Sequence, residues 1–241
     1  MKTKQNSSHS CLSTVYDLPN FLKKDLVANL LDKSISSNPV RDMNTLSSCN
    51  HEEADTRMFA HLVNCLTEGI TKIHIRSGDT DVLVLAVNVC TKHPEIEQLV
   101  IHFGSGKNFR VIDVISICSG LGIACSCVLP LFHSFTGCDT VSSFAGRGKK
   151  TAWSVWKTFP ELTHALQTLT NNPDAYKEEK ILAVIQKYVV LLYNRTCSVD
   201  SVNDARRKLF ASRSGLENIP PTKDSLVQHL KRSIFQGSLN F

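Results

Sequence analysis

Apolar residues follow two different periods in the middle of the chain. Five of them recur at the spacing of one helix face: Met58, Phe59, Leu62, Val63 and Leu66. This spacing predicts a helix from about residue 51 to 68, with Asn50 as its N-cap. Directly afterwards, Ile73 and Ile75 alternate with polar residues, which predicts a strand over 71–76. The first strong elements of the chain are therefore a helix followed by a strand.

The remainder of the chain is predicted to contain few strands and many helices. The apolar run 81–90 favours a helix, and strands are predicted at 98–103 and 109–114. Further helices are predicted at 115–121, 123–135, 148–158, 161–170, 175–194, 201–212 and 222–236. Near the start of the chain, 22–31 favours one short helix in an otherwise irregular segment. Strands interleaved with helices, followed by helices alone, predict an α/β core with a helical C-terminal extension.

Length and composition fit an ordinary globular protein. The chain has 241 residues, of which 42% are hydrophobic and 20% charged. No apolar run reaches the roughly 18 residues of a membrane span, and no apolar segment follows the N-terminal lysines as in a secretory signal. The nine cysteines lie mostly in apolar runs without a Cys-x-x-Cys pair, which favours reduced core residues over zinc ligands. We therefore expect an intracellular protein of the nucleus or cytoplasm, neither secreted nor bound to a membrane.

The charged residues are unevenly distributed around a net charge of +5. Residues 51–113 contain nine acids and six Lys or Arg, a balance of −3. Residues 142–160 contain four basic residues and no acid, and 204–232 contain seven basic residues and three acids. An acidic segment followed by basic ones suits a metal site beside a track for a polyanion. An ordinary mixed surface would give the same net charge.

An aspartate heads the apolar face of the first predicted helix. Asp55 lies three residues before Met58 and four residues before Phe59, so it shares their side of the helix. Burial of a carboxylate is unfavourable unless a cation or hydrogen-bond donors meet it, which favours a ligand role for Asp55. Glu53 converges with it only if the first turn is frayed. The alternative is that these acids simply favour the helix N-terminus, which explains Glu53 better than Asp55.

Two more carboxylates, Asp79 and Asp81, follow the carboxyl end of the predicted strand. In open α/β sheets this edge is where ligands bind, and Gly78 permits a sharp exit from the strand. Two carboxylates at such an edge offer the hard oxygen ligands that suit Mg²⁺ or Mn²⁺. The alternative is an ordinary turn and helix cap, for which Gly-Asp-Thr-Asp is also well suited.

A third block places one more aspartate before a basic, glycine-containing loop. Asp139 follows Gly137 at the start of a helical segment, where a capping role is the alternative. The loop that follows consists of Gly146, Arg147, Gly148, Lys149 and Lys150. A Gly-x-Gly sequence that opens a helix presents free backbone N–H groups, and the lysines add positive charge. This arrangement is typical of phosphate binding.

Taken in order, these blocks resemble the flap-endonuclease and XPG-like branch of PIN domains, including the asteroid-like relatives, over about residues 50–160. Four segments carry the resemblance. Glu53-Ala54-Asp55 resembles the family's E-A-E/D pair, and Ser77–Asp81 resembles its T/S-x-D-x-D strand end. Phe135–Asp139 resembles its L-x-G-x-D-Y turn, and Phe144–Lys150 resembles its G-I-G-x-x-x-A helix–two-turns–helix element. The order of the motifs also agrees with the family.

The resemblance implies a PIN-like fold, truncated at its N-terminus, over residues 49–160. Its sheet would be mostly parallel with flanking helices, preceded by an irregular segment at 1–48 and followed by a helical extension at 161–241. The family has two further metal-binding aspartates upstream, which have no clear counterpart here. Thr140 replaces a bulky residue, and Gly-Arg-Gly replaces Gly-Ile-Gly.

The resemblance also implies hydrolysis of phosphodiester bonds with Mg²⁺ or Mn²⁺, in up to two ions about 3.5–4 Å apart. Asp79, Asp81 and Asp139 would be the catalytic residues and would hold one ion, while Glu53 and Asp55 share it or hold the other. Nucleic acid would be bound through its backbone by the loop Gly146, Arg147, Gly148, Lys149 and Lys150. We therefore expect the five carboxylates to converge in space.

Two other functions are weighed against the nuclease. A catalytically inactive PIN-like module that binds nucleic acid or protein is favoured by the absent upstream aspartates. A phosphatase that uses Asp79 and Asp81 is disfavoured, because that motif usually opens its domain and here follows 78 residues. The sequence from Gly104 to Lys107 resembles a phosphate-binding P-loop only superficially, since no Ser or Thr follows the lysine.

Overall fold

The structure is a computed structural model that describes residues 26–30, 33–38, 54–211 and 218–239. The chain divides into two compact units between Ile70 and Thr71, and each is described by itself below. The described residues form nine α-helices and five short strands. The α/β class predicted from the sequence is therefore confirmed.

The first unit begins with a β-hairpin. Strand β1 (Val27–Leu30) pairs antiparallel with β2 (Lys33–Ser36), and the pair is closed by hydrogen bonds between Leu26 and Ser37. The short helix predicted at 22–31 is therefore wrong over β1. Helix and strand cannot be distinguished by periodicity in so short an apolar run, and here the backbone groups of β1 find their partners across the hairpin.

The helix that follows, α1 (Ala54–Thr67), agrees with the prediction for 51–68 in the part that the structure describes. Phe59 and Leu62, two members of its apolar stripe, are buried. Asn50, the predicted N-cap, and Glu53 lie outside the described residues. Asp55 belongs to the first turn of α1, and its side chain is not among those described.

The second unit is built on a three-stranded sheet in the order β3 (Lys72–Ser77), β4 (Gln98–Phe103), β5 (Arg110–Asp113). Strands β3 and β4 are parallel, whereas β4 and β5 are antiparallel. The predicted mostly parallel sheet is therefore wrong, because the sheet is mixed. Only 104–109 connect β4 to β5, which is too short for the crossover that a parallel pair requires.

Helix α2 (Thr80–Lys92) forms the crossover between the two parallel strands, β3 and β4. The apolar run predicted as a helix is thus confirmed as one. Its buried residues include Val82, Leu85, Ala86 and Val87, of which three are fully covered. An almost continuously apolar sequence is expected for a helix that is covered on most sides.

In the part of the second unit that the structure describes, seven further helices follow the sheet. They are α3 (Val114–Leu121), α4 (Ile123–Phe135), α5 (Lys149–Thr158), α6 (Glu161–Asn171), α7 (Glu179–Tyr193), α8 (Val202–Phe210) and α9 (Lys223–Leu239). The helices predicted in this region are confirmed, except that a 3₁₀ turn over Pro173–Lys177 precedes α7. Among the described helices, no single one is long and apolar enough to cross a membrane. Helices α3 and α4 reach that length and apolar character only when they are counted together, and the chain bends by 104° between them.

One hydrophobic core joins α4 to the helices that follow it. Phe132 stacks on Trp156 with ring centroids 4.2 Å apart, and Phe135 contacts Phe144 and Tyr188 edge-on or at a tilt. The core extends on both sides of residue 160, so α5 and the helices of the C-terminal extension share it. Aromatic pairs of this kind stabilise a core beyond the area that they bury.

The seven cysteines that the structure describes are free thiols of intermediate burial: Cys65, Cys90, Cys118, Cys125, Cys127, Cys138 and Cys197. Burial raises the pKa of Cys90 to about 12, and the neighbouring Cys118 adds to the effect. A thiol with so high a pKa stays protonated and unreactive at neutral pH. This behaviour agrees with a packing role for Cys90.

A buried histidine ties the last helix to the end of α4. His229 is 7% exposed, and its Nε2 donates a hydrogen bond to the carbonyl of Phe135 at 2.8 Å. Burial lowers the pKa of His229, and the hydrogen bond to Phe135 offsets part of that effect. The ring is therefore neutral at pH 7, with the proton on Nε2.

We expect stability to fall as the pH drops below about 6.5, the ordinary pKa of histidine. Because the folded-state pKa of His229 is lower, the unfolded chain takes up the proton first, and acid favours unfolding until the folded-state pKa is passed. Urea unfolding at several pH values measures this slope. The His229→Gln variant retains an N–H donor without titrating, so its slope should be smaller; an unchanged slope would contradict the assignment.

Candidate functional site

Asp79, the first of the predicted carboxylates whose side chain the structure describes, caps helix α2. It follows strand β3 directly, and its backbone N–H donates to the hydroxyl of Ser77 at 3.0 Å. The carboxylate then accepts a hydrogen bond from the backbone N–H of Asp81 at 2.8 Å. This is the geometry of an N-cap, which satisfies one of the free N–H groups at the helix start. In this structure the Asp79 carboxylate therefore faces the helix, as in the capping alternative considered above.

The second carboxylate, Asp81, faces a histidine on another helix. Its Oδ1 lies 2.8 Å from Nε2 of His133, which belongs to the last turn of α4. The His133 side chain is 11% exposed and that of Asp81 is 38% exposed. The contact is close but poorly directed, since Nε2 has no well-aligned hydrogen-bond partner among the described residues. The structure thus pairs a carboxylate in the first turn of α2 with a largely buried imidazole.

Sequence reasoning did not select His133 as a functional residue. It stands four residues before Gly137, in the run Phe132-His133-Ser134-Phe135, where it looks like one polar position in an apolar helix. The available signal was its nearness to the turn that contains Asp139. Nothing local in the sequence indicates that the ring meets Asp81.

The electrostatic surroundings favour a neutral His133. Burial lowers the pKa of the ring, the ammonium of Lys149 lowers it further, and Asp81 and Asp79 offset only part of the change. A neutral imidazole has one protonated nitrogen and one lone pair. Two lone-pair atoms repel each other at 2.8 Å, so the proton of the neutral ring is on Nε2, which faces the carboxylate.

Lys149 closes the site from the other side. Its ammonium donates to the carbonyls of His133, at 2.9 Å, and of Gly137. These carbonyls lie at the carboxyl end of α4, where cations are favoured. Burial lowers the pKa of Lys149, while Cys138 and Asp81 raise it in part. The ammonium is therefore engaged by the protein backbone, although the sequence suggested a phosphate contact.

The turn that carries Asp139 requires glycine at position 137. Gly137 has a φ of +105°, and a Cβ there would lie 2.6 Å from Cβ and 2.7 Å from Cα of Ser143. No other residue fits so close an approach of backbone to backbone. The chain therefore folds back on itself and places Asp139 beside the end of α4.

An open depression of about 570 Å³ gathers these groups within the second unit. It is lined by Thr80, Asp81, His133, Gly137, Cys138, Asp139, Thr140, Val141, Ser142, Ser143 and Lys149. The structure thus brings Asp81 and Asp139 into one depression, whereas Asp79 caps α2 at its side. In the described part of the chain, no three His, Cys, Asp or Glu side chains stand close enough to hold a metal ion. The expected convergence of Glu53 and Asp55 with this group concerns side chains that the structure does not describe.

The remaining loop residues differ in what they contact. Gly146 has a φ of +65° and turns the chain towards α5. The guanidinium of Arg147 lies over the ring of Tyr193, 4.8 Å from its centroid, while the side chain of Lys150 is exposed. Gly148 is the N-cap of α5 and offers no side chain, so the first N–H groups of that helix have no side-chain cap. Comparison of the chain with family models, curated proteins and solved structures finds no match.

Two substitutions should move the pKa of His133 in opposite directions. Asp81→Asn should lower it further, because the carboxylate favours the charged ring, and Lys149→Met should raise it, because the ammonium disfavours that ring. Titration of the ring by NMR, with a chelator present, measures both shifts. Lys150→Met is the matched control and should leave the His133 pKa unchanged. Shifts of the same sign would show that the charges described here do not control the ring.

Proposed function

We propose that this chain carries a PIN-like, metal-dependent nuclease site that hydrolyses phosphodiester bonds in nucleic acid. The observation that carries the proposal is the meeting of Asp81 and Asp139 in one depression, although 57 residues separate them in the sequence. The depression adjoins the carboxyl end of β3 and the first turn of α2, the edge where open α/β sheets bind ligands.

The donor atoms at this edge are of the chemical kind that binds a divalent ion, although in this structure no three of the described side chains converge on one point. Asp81 and Asp139 supply carboxylate oxygens, which suit Mg²⁺ or Mn²⁺, and the neutral ring of His133 is a ligand that Mn²⁺ accepts more readily than Mg²⁺. Asp79 would join them by giving up its cap on α2. Glu53 and Asp55 are assigned to the site by the resemblance alone. When bound, the ion supplies an activated water and stabilises the leaving oxygen.

Backbone phosphates are held by the loop at the start of α5. The uncapped N–H groups after Gly148 favour an anion, and Arg147 and Lys150 add charge beside them. Lys149 acts indirectly, since its ammonium fixes the turn against α4. Contacts of this kind orient a nucleic acid without reading its sequence.

A second candidate is a non-catalytic PIN-like module that binds nucleic acid or protein. Two contacts favour it: Asp79 is engaged as the cap of α2, and Asp81 lies against His133. A two-ion mechanism needs several carboxylates free to face the ions, and these two are already engaged. Metal binding and cleavage, measured separately, distinguish the two candidates.

Mg²⁺ or Mn²⁺ should raise the melting temperature of the protein, because an ion that binds only the folded state stabilises it. At an ion concentration of about 100 times Kd we expect roughly 5–10 °C. The Asp81→Asn and Asp139→Asn variants should lose this shift. Asp204→Asn, a change on the exposed face of α8, is the matched control. If the rise in melting temperature persists in both site variants, the metal ion binds elsewhere in the protein.

Cleavage should be weak even where the metal binds, because the family's two upstream carboxylates have no clear counterpart here. The substrate is a labelled branched DNA with Mn²⁺ present, and Asp81→Asn should abolish any product. Asp79→Asn retains a capping side chain and so isolates the charge of Asp79 from its structural role. If the metal ion raises the melting temperature but no cleavage is seen, the non-catalytic candidate is supported. If neither effect is seen, the metal site is rejected.

Binding of the same DNA without metal should weaken steeply as salt rises, because phosphate contacts release counterions. Arg147→Ala and Lys150→Ala should each reduce the slope of log affinity against log salt by about 1. Lys149→Met should instead lower the melting temperature, since the carbonyls of His133 and Gly137 lose their donor. Salt-independent binding, or equal slopes in all variants, would contradict a backbone-binding loop.

A further inference from the structure

One face of the β3–β4–β5 sheet carries a row of stacked rings. Nδ1 of His74 lies 3.0 Å from Nε2 of His102, and the two ring centroids are 5.2 Å apart with an interplanar angle of 29°. The ring of His102 stacks in turn on Phe109, with centroids 6.0 Å apart and an angle of 23°. The guanidinium carbon of Arg76 lies 6.0 Å from the Phe109 centroid. The row therefore consists of three rings with a cation at one end.

The strand register places these residues together. His74 and Arg76 are two positions apart on β3, so they project from the same face of the sheet. Arg76 is aligned with His102 on the parallel neighbour, and His102 is aligned with Val111 on β5. Phe109 joins them from the connecting turn. These residues form the ring face, defined as His74, Arg76, His102, Phe109 and Val111.

The ring face is exposed to an unusual degree for its composition. Phe109 is 42% exposed and Val111 is 60% exposed, and the side chains of His74 and Arg76 are exposed as well. The opposite face carries Ile75, Leu99 and Ile101, all of which are buried. An exposed patch that combines rings with apolar side chains is typical of a binding surface.

The charge around the ring face identifies the kind of occupant. The three strands and the turn between β4 and β5, residues 72–77 and 98–113, contain four Lys or Arg: Lys72, Arg76, Lys107 and Arg110. They contain one acid, Asp113 at the end of β5, whose carboxylate caps α3. Of the four basic residues, Lys72 is near an acid, with Glu97 3.7 Å away. Rings that accept stacking and cations that accept phosphates are the two features with which proteins bind single-stranded nucleic acid. Duplex DNA does not offer its base faces, so it would leave the rings unused.

We propose that the ring face binds single-stranded nucleic acid, with a base stacked on Phe109 and the adjoining phosphates beside Arg76. The inference rests on the proposed function, because it names the form of nucleic acid that the same unit holds. It concerns a surface distinct from the loop Gly146–Lys150, which contacts backbone only. Substitutions in one surface can therefore be tested while the other surface keeps its own residues.

The test compares two oligomers of about 12 nucleotides, one an oligothymidine and the other an abasic strand with the same phosphates. Phe109→Ala should weaken binding of the oligothymidine at least about fivefold and leave the abasic strand unaffected, because only bases stack. Arg76→Gln should weaken binding of both. Phe109→Trp should retain affinity, and the indole that it introduces should be quenched when the oligothymidine binds. Phe210→Ala, which removes an exposed ring on α8 and none from the ring face, is the matched control and should have no effect.

The outcomes separate this inference from the proposed nuclease. An equal loss for both oligomers in Phe109→Ala, or no loss, overturns the stacking role. If the unmodified protein binds neither oligomer, the proposed role of the ring face is wrong. The proposed cleavage of branched DNA does not depend on that result. If Phe109→Ala no longer binds the oligothymidine and metal ions do not raise the melting temperature, the role of the ring face is supported and the proposed nuclease is rejected. Melting temperatures close to that of the unmodified protein exclude misfolding as the cause.

Discussion

The second unit depends on how the buried carboxyl end of helix α4 is satisfied. A helix ends with carbonyls that have no partner within it, and burial without donors is unfavourable. Here the donors come from residues distant in the sequence as well as from Thr136. His229 donates to the carbonyl of Phe135, and Lys149 donates to those of His133 and Gly137. Because α4 packs against α2, α3, α6 and α9, these few hydrogen bonds fix the centre of the unit.

The same hydrogen bonds form the candidate site. Lys149 holds the turn after α4 in place, and that turn carries Asp139; the last turn of α4 carries His133, which meets Asp81. Burial lowers the pKa of the neighbouring imidazole, and the ammonium lowers it further, which favours the neutral ring that ligand or proton-transfer roles need. Stability and site chemistry are therefore coupled at one lysine, and a change there acts on both.

The sequence predicted those features that depend on local periodicity. Strand β4 was predicted over 98–103 as observed, and the helices after α4 were placed within a few residues. The antiparallel return of β5 was missed, because two strands of similar apolarity do not reveal their direction. His133 and the capping role of Lys149 were missed for a different reason. Each acts through a partner that is distant in the sequence, and no periodicity encodes such a contact. That Asp81 and Asp139 lie in one depression could be predicted, because strand ends and glycine turns restrict where they can lie; their role as metal ligands stays a prediction.

The two proposed nucleic-acid surfaces bear on the carboxylates through their charge. Asp81 and Asp139 alone repel a phosphate chain, so a substrate approaches them only if a divalent ion or nearby cations offset their charge. Arg76 precedes Asp79 by three residues on the strand that leads into the depression, and Lys150 follows the lysine that closes it. Both cations thus belong to segments of the chain that run into or out of residues lining the depression. A strand held by stacking on the ring face would reach the strand end with its phosphates already partly neutralised, which lowers the repulsion that the carboxylates impose.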